Sequence, residues 1–159
     1  MMSEIPVLTE SRVEQAVAAF HEGYNCSQAV FSTYADLFGI DRDTALRLSA
    51  SFGGGMGRLR QVCGAVSGMF LLNGLLNGST DPTDREAKKY NYERVQQLAA
   101  AFKEENGSIV CADLLAGCGL SADRYPDPSR RDEAYYRKRP CAELVRCCAR
   151  LVEERLLEK

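Results

Sequence analysis

Apolar residues recur at helical spacing along most of the chain, and the alternation that marks a strand is nearly absent. A stripe of Val13, Val17 and Phe20 predicts a first helix from about Ser11 to Glu22, and Gly23 ends it. Similar patterns predict further helices at about 25–39, 43–51, 61–77, 82–106, 108–116, 131–138 and 140–157. The sequence therefore predicts an all-α protein, a compact single-domain bundle of about six to eight helices over residues 1–159.

The helix predicted at 61–77 is apolar almost all round, which is typical of the centre of a bundle. Its longest apolar stretch, Val62 to Leu76, is about 15 residues and falls short of the roughly 20 that cross a bilayer, so we expect no membrane insertion. The helix that follows has only a narrow apolar stripe and is expected on the outside. Thr80, Asp81 and Pro82 are predicted to begin it, and Gly107 to end it.

Composition argues against a disordered chain and against a nucleic-acid-binding protein. At 45% hydrophobic and 26% charged residues, the chain has enough apolar side chains to form a core, which argues against disorder. Its net charge of −2 leaves no excess of lysine and arginine to neutralise a phosphate backbone. Nucleic acid is therefore not an expected partner.

The seven cysteines are the unusual feature of the composition. An odd number cannot pair completely within one chain, and about 4% is below the roughly 8–10% typical of disulfide scaffolds. The N-terminal sequence MMSEIPVLTESRVEQAV lacks the charged and apolar regions of a secretory signal, so we expect a cytoplasmic protein. In that reducing compartment, clustered thiols indicate metal binding or redox chemistry.

Four of the cysteines fall where predicted helices begin, and we call them the helix-start cysteines. They are Cys26, Cys63, Cys111 and Cys141. Asn25 is a good N-cap with Gln28 three residues later, Ser108 is predicted to cap the helix of Cys111, and Pro140 precedes Cys141. Helix N-termini stabilise thiolates, and thiolates attack disulfides and bind metals.

Nearby arginines would add to this effect, because Arg58 and Arg60 precede Cys63 and Arg139 precedes Cys141. No two helix-start cysteines form a CxxC motif, so folding must assemble any shared site. The glycine run that precedes Arg58 matches no nucleotide-binding loop. It predicts a flexible or tightly turned connection that brings backbone close to the thiols.

Other candidates have more ordinary explanations. Cys118 follows a predicted helix end, and Cys147 and Cys148 lie inside the last helix, where small buried thiols are common. Cys147 is nevertheless a candidate resolving thiol, because it follows Cys141 by six residues. His21 is a candidate base or metal ligand, although a lone surface histidine is more common.

Several segments together resemble the C_GCAxxG_C_C family, whose members are described as redox-active. The resemblance covers residues 12–157 approximately and rests on GYNCSQAV, SFGGGMGRLRQVCGAVSG, SIVCADLLAG and RPCAELV. It implies that the helix-start cysteines form one site, and it identifies that site better than it identifies a reaction. The family is also similar to the helical region of split-Soret cytochromes, which implies iron–sulfur or electron-transfer chemistry. No CxxCH motif is present, so covalent haem is not expected.

Two hypotheses follow for the four helix-start cysteines. In the first, the protein is an oxidoreductase that uses them for thiol–disulfide or electron-transfer chemistry with a redox partner protein. Cys26 and Cys63 are then nucleophile and partner, and Cys111 and Cys141 form a second pair. In the second, the four sulfurs hold a [2Fe–2S] cluster or a structural zinc. A homodimer is compatible with either hypothesis, since symmetric dimers are the commonest oligomers.

Overall fold

The computed structural model describes residues 4–159 and confirms the all-α prediction. Within that part of the chain, only two isolated bridges, Val7 with Glu158 and Val62 with Val110, add strand-like pairing. The elements are α1 Val13–His21, α2 Cys26–Tyr34, a 3-10 turn Ala35–Phe38, α3 Arg42–Ala50, the single turn α4 Gly53–Met56, α5 Gly64–Asn77, α6 Arg85–Asn106, α7 Cys111–Ala116, α8 Glu133–Lys138 and α9 Cys141–Arg155. The first three residues of the N-terminal sequence considered above lie outside the described residues.

Helix α5 packs against α2, α6 and α9, and α1 packs against both α2 and α9. This arrangement buries the large apolar side chains of several helices in one core, which includes Phe31, Tyr34, Met69, Leu72, Phe102 and Val145. Helix α6 contributes only Leu98 and Phe102 as fully covered side chains, in keeping with the narrow stripe of its sequence. No helix in residues 4–159 is both long enough and apolar enough to cross a membrane.

The start of α2 follows the prediction from sequence. Asn25 Oδ1 accepts a hydrogen bond from the Gln28 backbone N–H at 2.9 Å, and Gln28 Oε1 accepts one from the Asn25 N–H at 3.1 Å. This reciprocal capping box fixes Cys26 as the first residue of the helix. Asn25 Nδ2 also donates to the carbonyl of Ala50 at 3.0 Å, which ties this helix start to the end of α3.

Helices α5, α6 and α7 each begin three residues later than predicted, and two of the predicted caps are wrong. Helix α6 begins at Arg85 with Asp84 as its cap, because Asp81 instead binds the backbone and hydroxyl of Thr83 in a preceding turn. Ser108 does not cap α7. Its hydroxyl accepts a bond from the Val110 N–H and donates one to Asp113, so the helix begins only at Cys111.

A buried polar contact joins α2 to α9. The hydroxyl of Tyr34 donates to Glu153 Oε2, and the backbone N–H of Arg12 donates to the same oxygen at 2.8 Å. Tyr34 is fully covered and Glu153 is only 3% exposed. Burial, reinforced by Glu153, raises the pKa of Tyr34, so this hydroxyl keeps its proton and remains a donor.

Replacing Tyr34 with phenylalanine should lower the free energy of unfolding by about 1.5–3 kcal/mol, because a buried carboxylate loses a hydrogen-bond donor. Urea denaturation measures the change. Tyr92→Phe is the matched control, since Tyr92 is 58% exposed on α6 and should change stability by less than about 0.5 kcal/mol. Equal stability of the two variants would contradict the role given to this contact.

Candidate functional site

All four helix-start cysteines line one cavity of about 290 Å³. Cys26, Cys111 and Cys141 are each the first residue of a helix, and Cys63 is the N-cap of α5. The segment that connects α7 to α8 contributes Pro126, Pro128 and Ser129 to the cavity wall. Residues far apart in the sequence thus meet at one place, and the thiols share one environment.

Cys26 and Cys63 form a hydrogen-bonded pair in which the Cys63 thiol donates to the sulfur of Cys26. The Cys26 sulfur also accepts hydrogen bonds from the backbone N–H groups of Gly54, Ser27 and Ala65. Ser27 lies in the first turn of α2 and Ala65 in the first turn of α5. Two helix N-termini and a glycine-rich turn therefore all direct donors at one sulfur, an arrangement that stabilises negative charge.

The thiol of Cys26 is consequently acidic. The hydrogen bond from Cys63, aided by the three backbone N–H groups and opposed by burial, lowers its pKa to about 6. The pKa of Cys63 is raised well above its ordinary value, because Cys63 gives its proton to this hydrogen bond and is itself buried. At neutral pH the pair therefore holds one proton, in the hydrogen bond between the two sulfurs.

Positions at helix starts do not lower the pKa of all four helix-start cysteines. Burial raises the pKa of Cys111 and raises that of Cys141 to about 12, and the negative charge of Cys26 adds to both shifts. A helix N-terminus alone does not offset the loss of water around a covered sulfur. Only Cys26, among these four, has enough donors to do so.

A left-handed backbone segment brings Gly54 to Cys26. Every residue from 54 to 58 has positive φ, and so does Arg60. Glycine adopts this conformation freely, whereas Met56, Arg58 and Arg60 each do so at a cost of roughly 1–2 kcal/mol. Such strain persists where the surrounding structure enforces it, and it is common at functional sites. The segment is thus the tight connection that the glycine run predicts.

A short antiparallel bridge holds Cys63 beside Cys111. The N–H of Cys63 donates to the carbonyl of Ile109 at 2.8 Å, and the N–H of Cys111 donates to the carbonyl of Gln61 at 2.6 Å. Each cysteine therefore enters its helix directly from the paired segments around Val62 and Val110. This pairing explains how two segments distant in the sequence deliver thiols to one cavity.

Four arginines line the same cavity, and among the described residues that line it there is no aspartate or glutamate. They are Arg58, Arg60, Arg131 and Arg139. Sequence proximity predicted that Arg60 would support Cys63, but Arg60 Nη1 lies 3.7 Å from the sulfur of Cys111 instead. Arg131 was missed from the sequence, because no nearby cysteine or motif drew attention to it. Its guanidinium binds the carbonyls of Phe20 and Tyr24, where it covers the end of α1.

The other sequence candidates lie elsewhere. Cys118 is exposed, and His21 stacks on Tyr136 at 4.8 Å without lining the cavity. Cys147, the candidate resolving thiol, contacts Glu105 at 3.3 Å and Asn106 at 3.5 Å on the α6 side of α9. Cys148 is fully covered, and burial raises its pKa well above the ordinary value.

Four cysteines are a suitable donor set for zinc or a [2Fe–2S] cluster. Among the described residues, however, no three histidine, cysteine, aspartate or glutamate side chains are arranged to hold one metal ion. The chemistry of the donors fits a metal, but their arrangement among the described residues is not that of a metal site.

The chain was compared with known proteins. The family model described as "Putative redox-active protein (C_GCAxxG_C_C)" matches residues 24–155. The comparisons with curated proteins and with solved structures gave no match. The matched residues include all four helix-start cysteines, the glycine segment and the cavity arginines. The chain therefore belongs to the C_GCAxxG_C_C family.

Proposed function

We propose that this protein is a thiol–disulfide oxidoreductase in which Cys26 is the attacking thiolate and Cys63 the resolving thiol. The observation that carries the proposal is the paired geometry of these two residues. The Cys26 sulfur accepts hydrogen bonds from three backbone N–H groups. Its fourth donor is the Cys63 thiol, which in this proposal attacks the Cys26 sulfur in the second exchange. Thiolate character and a neighbouring thiol are the two requirements of disulfide exchange.

The reaction proceeds in two exchanges. The Cys26 thiolate attacks a substrate disulfide, which forms a mixed disulfide and releases one substrate sulfur as a thiolate. Cys63 then loses its proton to that thiolate or to water and attacks the Cys26 sulfur. This step forms the Cys26–Cys63 disulfide and releases the second substrate sulfur as a thiolate. The substrate gains two electrons from the protein pair and one proton from Cys63, and a second proton comes from solvent.

Cys111 and Cys141 form the second pair in this proposal. They line the same cavity, and both thiols are protonated at neutral pH because burial raises the pKa of each. A protonated pair is a poor first nucleophile and a suitable reserve of reducing equivalents. Exchange between the pairs would return Cys26 and Cys63 to the dithiol form, and a dithiol partner protein would reduce the second pair. Such a cycle needs a reducing compartment, in line with the expected cytoplasmic location.

Mapping of disulfides after mild oxidation tests the assignment. The reduced protein, exposed to a limiting amount of diamide and digested after its free thiols are blocked, should yield a Cys26–Cys63 peptide pair as the first product. Dithiothreitol should reverse it without loss of helical circular dichroism. The assignment fails if the first disulfide omits Cys26 or if Cys26 and Cys63 stay reduced while other cysteines pair.

A metal site formed by four thiolates is the second candidate, because all four helix-start cysteines line one cavity. Binding would require the sulfurs to draw together, and the bound group would supply electron transfer as a cluster or structural support as zinc. Metal content and the visible spectrum of protein purified without oxygen separate the candidates. Stoichiometric iron with visible absorption, or one zinc per chain, would favour the metal site. Metal-free protein with reversible dithiol oxidation would favour disulfide exchange.

A further inference from the structure

We propose that the cavity is built for a small anionic disulfide, a low-molecular-weight disulfide bearing a carboxylate that Arg60 and Arg139 bind. The inference rests on the proposed exchange reaction and names its substrate class. The disulfide would lie against Cys26 with its anionic group directed to the guanidinium groups. The released thiol would carry that carboxylate away.

The charge balance of the cavity is the first reason. Its walls hold the four arginines against one anionic group, the Cys26 thiolate, and no aspartate or glutamate among the described residues lines it. The nearest compensating carboxylate described is that of Asp123, 3.8 Å from Arg58 and outside the cavity lining. Burial and then the positive charge of Arg60 lower the pKa of Arg58, and Arg139 contributes in the same direction. Clustered, partly desolvated cations of this kind favour an anionic occupant.

The unsatisfied guanidinium of Arg60 is the second and independent reason. Arg60 is only 2% exposed, so its side chain is more than nine-tenths buried. Its Nε donates to the carbonyl of Asp123 at 2.8 Å and its Nη1 approaches Cys111, yet its buried Nη2 has no hydrogen-bond partner among the described residues. A buried charged donor without a partner is costly, and a carboxylate oxygen is its best complement. Arg60 is also one of the residues that line the cavity.

The remaining arginines are more fully engaged, which identifies the anion position. Arg131 is occupied by two backbone carbonyls. Arg58 binds the carbonyl of Tyr125 and the hydroxyl of Ser129. Arg139 makes one longer bond, 3.3 Å to Ser129, while its guanidinium lies 4.7 Å from the ring centre of Tyr135. Arg60 and Arg139 therefore retain the most donor capacity.

Cavity size argues for a small molecule. Its volume of about 290 Å³ is at the lower end of the roughly 300–1,000 Å³ typical of ligand pockets. A short aliphatic disulfide fits this space. Cys26 and the guanidinium groups line the same space, so a single short ligand can contact both.

Three matched aliphatic disulfides test the proposal on the full-length reduced protein. Dithiodipropionate is anionic, hydroxyethyl disulfide is neutral and cystamine is cationic. Rates of loss of the Cys26 thiol, followed by mass spectrometry, should be at least about tenfold higher with dithiodipropionate than with the neutral disulfide, and lowest with cystamine. Added salt should reduce this difference in rate less than it would reduce an effect that depends on an exposed charge pair.

Arginine variants test which guanidinium groups cause the preference for dithiodipropionate. Arg60→Gln and Arg139→Gln should each reduce the preference for dithiodipropionate several-fold, while Arg60→Lys should retain part of it as a point charge. Arg137→Gln is the matched control, because Arg137 lies two residues from Arg139 and outside the cavity. If Arg60→Gln fails to fold, Arg139→Gln carries the test. Equal rates with the three disulfides, or equal preference in Arg139→Gln and Arg137→Gln, would overturn the proposal.

A second measurement separates this inference from the exchange reaction. Thiodipropionate carries the same two carboxylates and has no disulfide, and its binding is measured by calorimetry. Binding to the native protein but not to Arg60→Gln or Arg139→Gln supports the anion site even if no disulfide reacts, in which case the exchange reaction alone fails. Absence of binding to the native protein, with all three disulfides reacting at one rate, overturns the anion site and leaves the exchange reaction standing.

Discussion

Replacing Cys63 with alanine should slow the alkylation of Cys26 at neutral pH about tenfold. The hydrogen bond from Cys63 is the largest of the effects that lower the pKa of Cys26 to about 6. Its removal leaves three backbone donors against the cost of burial, so the pKa rises toward the ordinary thiol value. The thiolate fraction at neutral pH then falls, and the higher intrinsic reactivity of a more basic thiolate offsets only part of that loss.

The measurement is the rate of iodoacetamide modification at each cysteine as a function of pH, read by mass spectrometry. In the native protein, Cys26 should be the fastest and its rate should level off above a pH near 6. Cys26→Ser should remove this fast phase and leave the exposed Cys118 as the main reactive thiol.

Cys63→Ser is the matched control, because a serine hydroxyl can still donate to the Cys26 sulfur but cannot resolve a mixed disulfide. It should keep the fast alkylation and stop turnover with the substrate trapped on Cys26. Two results would contradict the assignment. One is an unchanged pH profile in Cys63→Ala, and the other is a fast phase that survives Cys26→Ser.

The helix starts could be predicted from sequence to the extent that their signals are local. Asn25 and Gln28 form a capping box three residues apart, and the position of Cys26 followed from it. The prediction that Asp81 begins α6 was wrong because aspartate is equally suited to a turn, and Asp84 caps the helix instead. Capping residues compete for nearby backbone N–H groups, and sequence alone does not decide which one wins.

The environment of the thiols in the shared cavity could not be predicted from sequence, because it depends on contacts between residues that are distant in the chain. The four cysteines could be selected from their helix starts, but the acidity of Cys26 arises from Gly54 and Cys63, which meet it only after folding. The strained left-handed backbone from 54 to 58 has no periodic signal beyond its glycines. Arg60 was predicted to support Cys63 but contacts Cys111, because the bridge between Val62 and Val110 places Cys111 beside Arg60. Sequence patterns thus selected the four cysteines that line the cavity but not their relative acidities.

Replacing Gly64 with alanine should lower the free energy of unfolding by about 1–3 kcal/mol and should also slow the alkylation of Cys26. A Cβ at position 64 would lie 2.5 Å from the Cys26 sulfur and 2.8 Å from the carbonyl oxygen of Phe52. The sulfur belongs to a side chain that can rotate, but the Phe52 oxygen and the Gly53 Cα at 3.2 Å are backbone atoms. Relief therefore requires the glycine segment to move, and with it the Gly54 N–H that stabilises the thiolate.

Gly74→Ala on the same helix is the matched control. Apart from its chain neighbours and the local backbone of α5, no described atom lies within 4 Å of a Cβ at position 74, so alanine there should stabilise α5 by about 0.5–1 kcal/mol through its higher helix propensity. Urea denaturation and the alkylation profile of Cys26 are measured for both variants. Opposite changes in stability, with slower alkylation only in Gly64→Ala, would show that the acidity of Cys26 depends on the close approach of α5 and α2. If both variants gain stability and keep fast alkylation, the site tolerates a side chain at position 64 and its acidity has another origin.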